Sequence, residues 1–230
     1  MKLIIFDLDQ TLVDVFPFHN KATELTFKKI FNIKARMDEI DYAGKTLKKV
    51  FMELVALKKI PKTEREKIPK ALKLYNKIFL SILPKNIKKF VLPGAHELVN
   101  ELAKNKENFL IVVTGDSEKI AKSLLHRCHL LKKFHFLITG EHTTNRKKLI
   151  KIAIKKACKV AKQKRFDKII VIGDSIRDIE TGKAVDAITI AVLTGIHTKE
   201  QLQAKKPDFI FRNLKNKKIL EIIENDSRKI

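Results

Sequence analysis

The acidic residues near the start of the chain are the first whose spacing points to chemistry. Asp7 and Asp9 follow the apolar run at residues 2–6 and are separated by Leu8. Because side chains alternate along a strand, both carboxylates would point to the same side of a strand end. On its own, such a pair also fits acidic residues that cap a helix or a turn, so its meaning depends on what lies beside it.

Two later apolar runs also end in polar residues. Thr114 and Gly115 follow the run at 109–113, and they combine a hydroxyl group with a backbone N–H that could bind an anion. The segment GDSIRD follows the run at 168–172 and places Asp174 at its end, with Asp178 four residues later. That spacing is about one helical turn.

These groups gain meaning together. The carboxyl ends of parallel strands meet at one edge of a sheet, where ligands bind in open α/β folds. Four carboxylates, the Thr114 hydroxyl and the basic run Arg146, Lys147 and Lys148 would all lie at that edge. Clustered carboxylates repel one another unless a divalent cation neutralises them, and oxygen ligands suit Mg²⁺. The sequence therefore predicts a magnesium site.

The elements that must position these residues follow from the hydrophobic pattern. Helical patterns at 95–104, 117–127 and 147–163 alternate with short β-branched runs. The strands are expected at 2–6, 109–113, 134–138, 168–172, 188–192 and 209–211. Continuously apolar strands that alternate with helices indicate a parallel sheet covered on both faces. We expect an α/β fold with a doubly wound, Rossmann-like core.

The stretch at 15–91 breaks this alternation. It shows no convincing strand, and helical patterns occupy 20–33, 46–58 and 64–83. We therefore predict a discontinuous core formed by residues 1–14 and 92–230, with an all-helical cap at 15–91 inserted after the first strand.

Composition limits the other possibilities. The chain has 230 residues, a net charge of +23 and two cysteines. No apolar run approaches the roughly 18 residues of a membrane span, and no signal peptide is evident. We expect a soluble, cytoplasmic protein without a membrane partner, either a monomer or a homodimer. The lysines are spread along the helices, so the charge favours small anionic substrates and does not by itself predict nucleic-acid binding.

In the order and spacing of its motifs, the sequence resembles the haloacid dehalogenase-like hydrolase superfamily, in particular its phosphoglycolate phosphatase-like branch with a helical cap. The family motif DxDxT matches Asp7, Asp9 and Thr11, and Thr114 matches the second motif. The fourth motif, GDxxxD, matches the segment from Gly173 to Asp178. For the basic third motif, Arg146 is preferred and Lys147 is the alternative. The chain departs from the pattern at Gln10, where the family usually has glycine.

The resemblance implies a phosphatase mechanism. Asp7 would attack phosphorus and form an aspartyl phosphate, and Asp9 would act as general acid and then general base. Family dehalogenases lack the second acid, so Asp9 favours phosphate chemistry.

The resemblance also implies the ligand set. Mg²⁺ would be held by Asp7, the backbone carbonyl of Asp9 and Asp174, with Asp178 fixing a water molecule on the metal. Thr114, the Gly115 N–H and Arg146 would bind the phosphoryl oxygens.

In the insertion, residues 42–46 (YAGKT) resemble the substrate-contacting loop of capped family members. We expect the Lys45 ammonium to be free to bind a second anionic group on the substrate. A nucleotide P-loop is excluded, because its first glycine would fall at Glu39.

Three other kinds of protein share part of this pattern. Phosphomutases of the same family share these motifs, whereas a receiver domain would lack both the long helical insertion and GDxxxD. A non-enzymatic, basic nucleic-acid-binding protein would rest on charge alone. The sequence leaves the substrate open among phosphoglycolate, sugar phosphates and nucleoside monophosphates.

Overall fold

A computed structural model of the chain describes residues 1–224 and shows a parallel sheet of six strands. The order across the sheet is β3-β2-β1-β4-β5-β6, and every neighbouring pair is parallel. The strands are β1 (Lys2–Phe6), β2 (Asn108–Val113), β3 (Phe136–Ile138), β4 (Lys168–Gly173), β5 (Ile188–Val192) and β6 (Phe209–Phe211). The expected doubly wound α/β fold is confirmed.

The register of the central strands aligns the ends that carry the polar residues. Phe6 in β1 pairs with Val112 in β2 and with Ile172 in β4. The residues that follow these three strands therefore emerge side by side at the carboxyl edge of the sheet.

Helices connect the strands and extend from the sheet. Between β1 and β2 lie α1 (Phe16–Phe31), α2 (Leu47–Leu57) and α3 (Ile68–Ile82). The later helices are α4 (Ala95–Leu102), α5 (Glu118–Arg127), α6 (Arg146–Val160), α7 (Ile176–Lys183), α8 (Lys199–Gln203) and α9 (Lys218–Glu224). Among residues 1–224, no helix has the length and apolar character needed to span a membrane.

The two faces of the sheet bury different apolar clusters because strand side chains alternate. Ile4 and Phe6 of β1 join a cluster with residues of α4, α5 and the helices at 16–82. Leu3 and Ile5 point the other way and pack with residues of α6. Both faces are covered, as the apolar strand runs predicted.

Some element boundaries differ from the sequence-based expectation. Helix α1 begins at Phe16, four residues early, because Pro17 occupies its first turn, where a missing N–H costs nothing. Helix α3 begins at Ile68, since residues 62–67 form a 3₁₀ turn in front of Pro69. Strand β3 begins at Phe136, two residues later than expected, after a 3₁₀ turn at residues 131–133.

Aromatic side chains hold the three helices between β1 and β2 together. Phe27 of α1, Phe51 of α2 and Tyr75 of α3 are each fully buried. The Phe51 ring lies 5.1 Å from that of Phe27 and 5.4 Å from that of Tyr75, measured between centroids. Contacts at these spacings add to the free energy gained from burying the rings. Residues 15–91 add no strand to the described sheet.

We predict that Phe51→Ala lowers the free energy of unfolding by about 3–5 kcal/mol, because it leaves a cavity where three helices meet. For a chain of this size, that loss corresponds to a fall in Tm of roughly 6–20 °C. Thermal denaturation monitored by circular dichroism measures it. Met52→Ala, on the same helix at a side chain that is 45% exposed, is the control and should change stability by only about 0.5 kcal/mol. Equal losses in the two variants would contradict the packing described.

Candidate active site

Three carboxylates from two strand ends converge at the carboxyl edge of the sheet. Carboxylate oxygens of Asp7, Asp174 and Asp178 lie within 4.8 Å of one another. Asp7 follows β1, Asp174 follows β4, and Asp178 lies in the first turn of α7. All three side chains are buried, each with less than one-tenth of its surface exposed.

Arg146 enters this group from the start of α6. Its Nη2 atom donates to Asp178 Oδ1 at 2.6 Å and to Asp7 Oδ1 at 3.2 Å. The Arg146 Nη1 atom is buried and has no hydrogen-bond partner within residues 1–224. Lys147, the alternative basic residue, is exposed. The structure therefore places Arg146, and not Lys147, among the carboxylates.

Local hydrogen bonds fix the two later carboxylates. Asp178 Oδ2 accepts hydrogen bonds from the Ser175 backbone N–H at 3.1 Å and from its hydroxyl at 2.5 Å. Ser175 in turn caps α7, so the cap that starts the helix also orients Asp178. Asp174 Oδ1 accepts a hydrogen bond from Thr11 Oγ1 at 3.0 Å. Thr11 therefore links the first motif to the fourth.

Burial and mutual repulsion make the ionised forms of these groups costly. Burial raises the pKa of Asp7 well above its usual range, with a further contribution from Asp178 and an opposing one from Arg146. Burial and Asp178 likewise raise the pKa of Asp174. Although burial alone would lower the pKa of Arg146, Asp178 and Asp7 raise it, so the guanidinium stays charged.

The residues fit a divalent cation. The three carboxylates supply hard oxygen donors, which is the chemistry that Mg²⁺ requires. The one guanidinium among them leaves net negative charge, which a cation would neutralise. Gly195 lies so close to Asp174 that a Cβ atom there would sit 1.9 Å from Asp174 Oδ2. Glycine at position 195 therefore leaves room for the Asp174 carboxylate.

The second strand end lies beside the same cleft. Thr114 is buried, and its Oγ1 accepts a hydrogen bond from the Asp116 backbone N–H at 3.2 Å. Thr114 and Gly115 line the cleft together with Asp7, Asp9 and Asp174. The cleft has a volume of about 70 Å³. The sequence-predicted residues from all three strand ends are therefore brought to one place.

A second polar group surrounds Asp9, and sequence reasoning missed most of it. His19 Nε2 lies 3.1 Å from Asp9 Oδ1, and His19 Nδ1 lies 2.5 Å from the Tyr75 hydroxyl oxygen. One proton assignment satisfies all three groups. Tyr75, whose pKa is raised by burial, donates to Nδ1, and Nε2–H donates to Asp9.

Asp116 completes this second group. Its Oδ2 lies 3.9 Å from His19 Nε2, and the side chain is buried. Burial raises the pKa of Asp116 well above its usual range, and the neighbouring Asp9 raises it further. Asp116 follows Thr114 by two residues at the same strand end, and this position could have drawn attention to it. His19 and Tyr75 lie on separate helices, and no sequence spacing connects them.

Lys45 lies on the wall of the cleft, but its ammonium group is not free as expected. Lys45 Nζ donates to Glu53 Oε2 at 2.5 Å, and the Lys45 side chain is only 14% exposed. Glu53 lies on α2, eight residues later, and the turn of chain into that helix brings the two charges together. The expected contact between a free Lys45 and a second substrate anion therefore has no support in this geometry.

The departure at Gln10 has a backbone consequence. Gln10 has a φ of 58°, in the left-handed region where glycine is favoured and other residues are strained. Contacts offset that strain: the Gln10 carbonyl accepts a hydrogen bond from the Thr194 hydroxyl, and its N–H donates to the Val13 carbonyl. The tight turn after the first motif thus persists without a glycine.

Comparison with curated proteins finds relatives along the whole chain. The pyrophosphatase PpaX of Listeria monocytogenes serotype 4b is 24% identical over 97% of this chain and 96% of its own length. A protein of Dickeya dadantii with the name "Probable phosphatase IndB" is 27% identical over 90% of this chain and 88% of its own length.

Solved structures share the fold. A hydrolase from Pseudomonas syringae superposes with a TM-score of 0.75, with 20% identity, over 98% of this chain and all of its own. A β-phosphoglucomutase from Clostridium difficile superposes with a TM-score of 0.74, with 17% identity, over 96% of this chain and 95% of its own.

The family assignment rests on the sequence profile of the haloacid dehalogenase-like hydrolases, which matches residues 4–192. That range includes the ends of five of the six strands, β1 to β5, and all the carboxylates of the cleft. The chain belongs to the haloacid dehalogenase-like hydrolase family.

Proposed function

We propose that the protein is a Mg²⁺-dependent phosphatase that hydrolyses a small phosphomonoester in the cytoplasm through an aspartyl-phosphate intermediate. The observation that carries the proposal is the convergence of Asp7, Asp174 and Asp178 around Arg146, with Asp9 on the same strand end as Asp7. The phosphatase and pyrophosphatase names of the relatives support phosphate chemistry.

The first half of the reaction transfers the phosphoryl group to Asp7. A carboxylate oxygen of Asp7 forms a bond to phosphorus while the bond from phosphorus to the leaving oxygen breaks. Asp9 donates its proton to that oxygen, so the leaving group departs as a neutral alcohol. In the second half, Asp9 takes a proton from water, which attacks phosphorus. The bond to Asp7 then breaks and releases inorganic phosphate.

Asp9 needs a fixed orientation to serve both halves. The hydrogen bond from His19 Nε2 holds one Asp9 oxygen, and Tyr75 holds the other nitrogen of the imidazole ring. Since His19 and Tyr75 lie on α1 and α3, the helices between β1 and β2 contribute to proton transfer. Proton transfer is efficient only when donor and acceptor lie within hydrogen-bond reach.

Positive charge and N–H groups hold the phosphoryl oxygens. Arg146 contacts Asp7 through Nη2, and its buried Nη1 atom keeps an unused donor that would suit a phosphoryl oxygen. Thr114 Oγ1 and the Gly115 N–H would bind the other oxygens. When bound, Mg²⁺ would supply the charge that neutralises the phosphoryl group. Asp7, the Asp9 carbonyl and Asp174 would hold it, and Asp178 would act through a water molecule.

We predict that Asp7→Asn abolishes turnover, because the amide keeps the volume of the side chain but cannot attack phosphorus. Phosphate release from p-nitrophenyl phosphate with Mg²⁺ measures the effect, with circular dichroism as the control for folding. Wild-type protein quenched in acid during turnover should carry phosphate on the peptide that contains Asp7. Activity above about one per cent of wild type would rule out the covalent mechanism.

We predict that the two later carboxylates respond differently to substitution. Asp174→Ala should remove activity and its Mg²⁺ dependence together. Asp178→Asn retains an acceptor for Ser175 but loses the charge beside Arg146, so the Mg²⁺ concentration for half-maximal activity should rise about 10- to 100-fold. Mg²⁺ titrations of the initial rate give both results. Wild-type activity that survives excess EDTA would contradict the metal assignment.

We predict that Arg146→Ala lowers kcat/KM for p-nitrophenyl phosphate by about 100-fold or more, because it removes a preorganised charge from the transferring group. Lys147→Ala is the matched control, since Lys147 is the next residue on α6 and is exposed. It should stay within about twofold of wild type, a free-energy difference below about 0.5 kcal/mol. The reverse order of effects would assign the basic role to Lys147.

A further inference from the structure

The leaving-group end of the cleft has an unusual electrostatic character. Besides the two carboxylates of the first motif and Asp174, the cleft is lined by a fourth carboxylate, Asp116. On the basis of the proposed phosphatase function, we infer that this end binds an alcohol without negative charge, one that offers a hydroxyl or ammonium hydrogen, and that Asp116 recognises it.

The first observation is an unsatisfied acceptor. Asp116 is 6% exposed, and its Oδ2 atom has no hydrogen-bond partner within residues 1–224. A buried carboxyl oxygen without a partner loses its hydration and gains nothing in return, so such atoms are rare in folded proteins. A substrate hydrogen-bond donor at this position would supply the missing contact.

The second observation places this oxygen next to the leaving group. Side-chain atoms of Asp9, His19 and Asp116 lie within 4.8 Å of one another. Asp9 is the group that would give its proton to the leaving oxygen, so the atoms attached to that oxygen pass beside Asp116. Asp7 and Asp174, by contrast, belong to the end of the cleft where the phosphoryl group is transferred.

The third observation is the shortage of available positive charge. Lys45 is the only lysine or arginine among the described residues that line the cleft, and Glu53 neutralises it. The rest of this wall is uncharged and largely apolar. Its side chains are those of Gln10, Phe16, Met37, Tyr42, Leu47 and Val50. An anionic leaving group would therefore be buried against Asp116 without a counter-charge, which is unfavourable.

The name of one relative, the pyrophosphatase PpaX, indicates pyrophosphate as its substrate, but the charges in this cleft do not favour pyrophosphate. Pyrophosphate would place a second phosphate at the leaving-group end, beside Asp9 and Asp116. A hydroxyl group can both donate to a carboxylate and accept from a carboxylic acid, and an ammonium group pairs with a carboxylate directly. The cleft therefore favours polyol or amino-alcohol phosphates over pyrophosphate and over esters that carry a second anion.

Two matched substrate pairs test this inference. Glycerol 3-phosphate and 3-phosphoglycerate differ at a hydroxymethyl or carboxylate group, and phosphoethanolamine and phosphoglycolate differ at an ammonium or carboxylate group. With Mg²⁺, kcat/KM should be at least about tenfold higher for the non-anionic member of each pair. Inorganic pyrophosphate should be a poor substrate.

Variants assign the preference to a residue. Asp116→Asn should reduce the ratio of kcat/KM within each pair by about tenfold, because it replaces a carboxyl oxygen that accepts from a substrate donor with an amide N–H that can donate to a substrate anion. Asp186→Asn is the matched control. It makes the same substitution at an exposed residue just before β5, at the opposite edge of the sheet, and should leave both ratios unchanged. Glu53→Gln, which frees Lys45, should raise kcat/KM for the carboxylate substrates.

The outcomes separate this inference from the proposed function. No phosphate release from p-nitrophenyl phosphate or any other ester would refute the phosphatase itself. Release from the aryl ester combined with preference for phosphoglycolate, 3-phosphoglycerate or pyrophosphate would overturn the inference alone. So would a ratio that Asp116→Asn leaves unchanged in a variant that melts cooperatively. If Asp116→Asn does not fold, a lack of response to Glu53→Gln overturns it.

Discussion

Repulsion among buried carboxylates is the constraint on which the site depends. Asp7, Asp174 and Asp178 are brought together by the register of β1 and β4, and burial makes their charge costly. Hydrogen-bond donors from three parts of the chain nevertheless hold them in place. Arg146 of α6 donates to both Asp7 and Asp178, Thr11 in the turn after β1 donates to Asp174, and Ser175 at the start of α7 donates to Asp178. The fold thus keeps the carboxylates close together and away from solvent, which is the arrangement that a bound cation would stabilise.

Close backbone approach makes the helices between β1 and β2 part of this site. A Cβ atom on Gly115 would lie 2.1 Å from the Lys45 carbonyl oxygen, so only glycine permits the contact. The Leu47 N–H also donates to the Gly115 carbonyl at 2.9 Å, at the start of α2. The strand end that would bind phosphate therefore touches the backbone that carries the cleft wall.

The parts of the structure that sequence predicts are those set by local pattern. The apolar runs gave five of the six strands within one residue. The shared carboxyl edge of parallel strands anticipated that Asp7 would meet Asp174. What the sequence could not supply are pairings between helices. Glu53 neutralises Lys45 only because α2 folds back along the loop at 42–46, and His19 meets Tyr75 only because α1 packs on α3. Such contacts depend on how the helices pack, and helix packing produces no periodic pattern in the sequence.

The fourth motif shows how one short segment can serve both halves of the site. Arg177 lies between Asp174 and Asp178, yet its guanidinium points away from them and makes a bidentate pair with Asp41, at 2.7 and 3.2 Å. It also donates to the Ala43 carbonyl at 2.6 Å. Asp41 and Ala43 lead directly into Lys45 and the cleft wall. Because the turn that orients Asp174 and Asp178 also holds this loop, hydrogen bonds connect the carboxylate cluster directly to the cleft wall. The proposed discrimination by Asp116 requires such a connection, since a wall free to move outward would admit an anion together with its water.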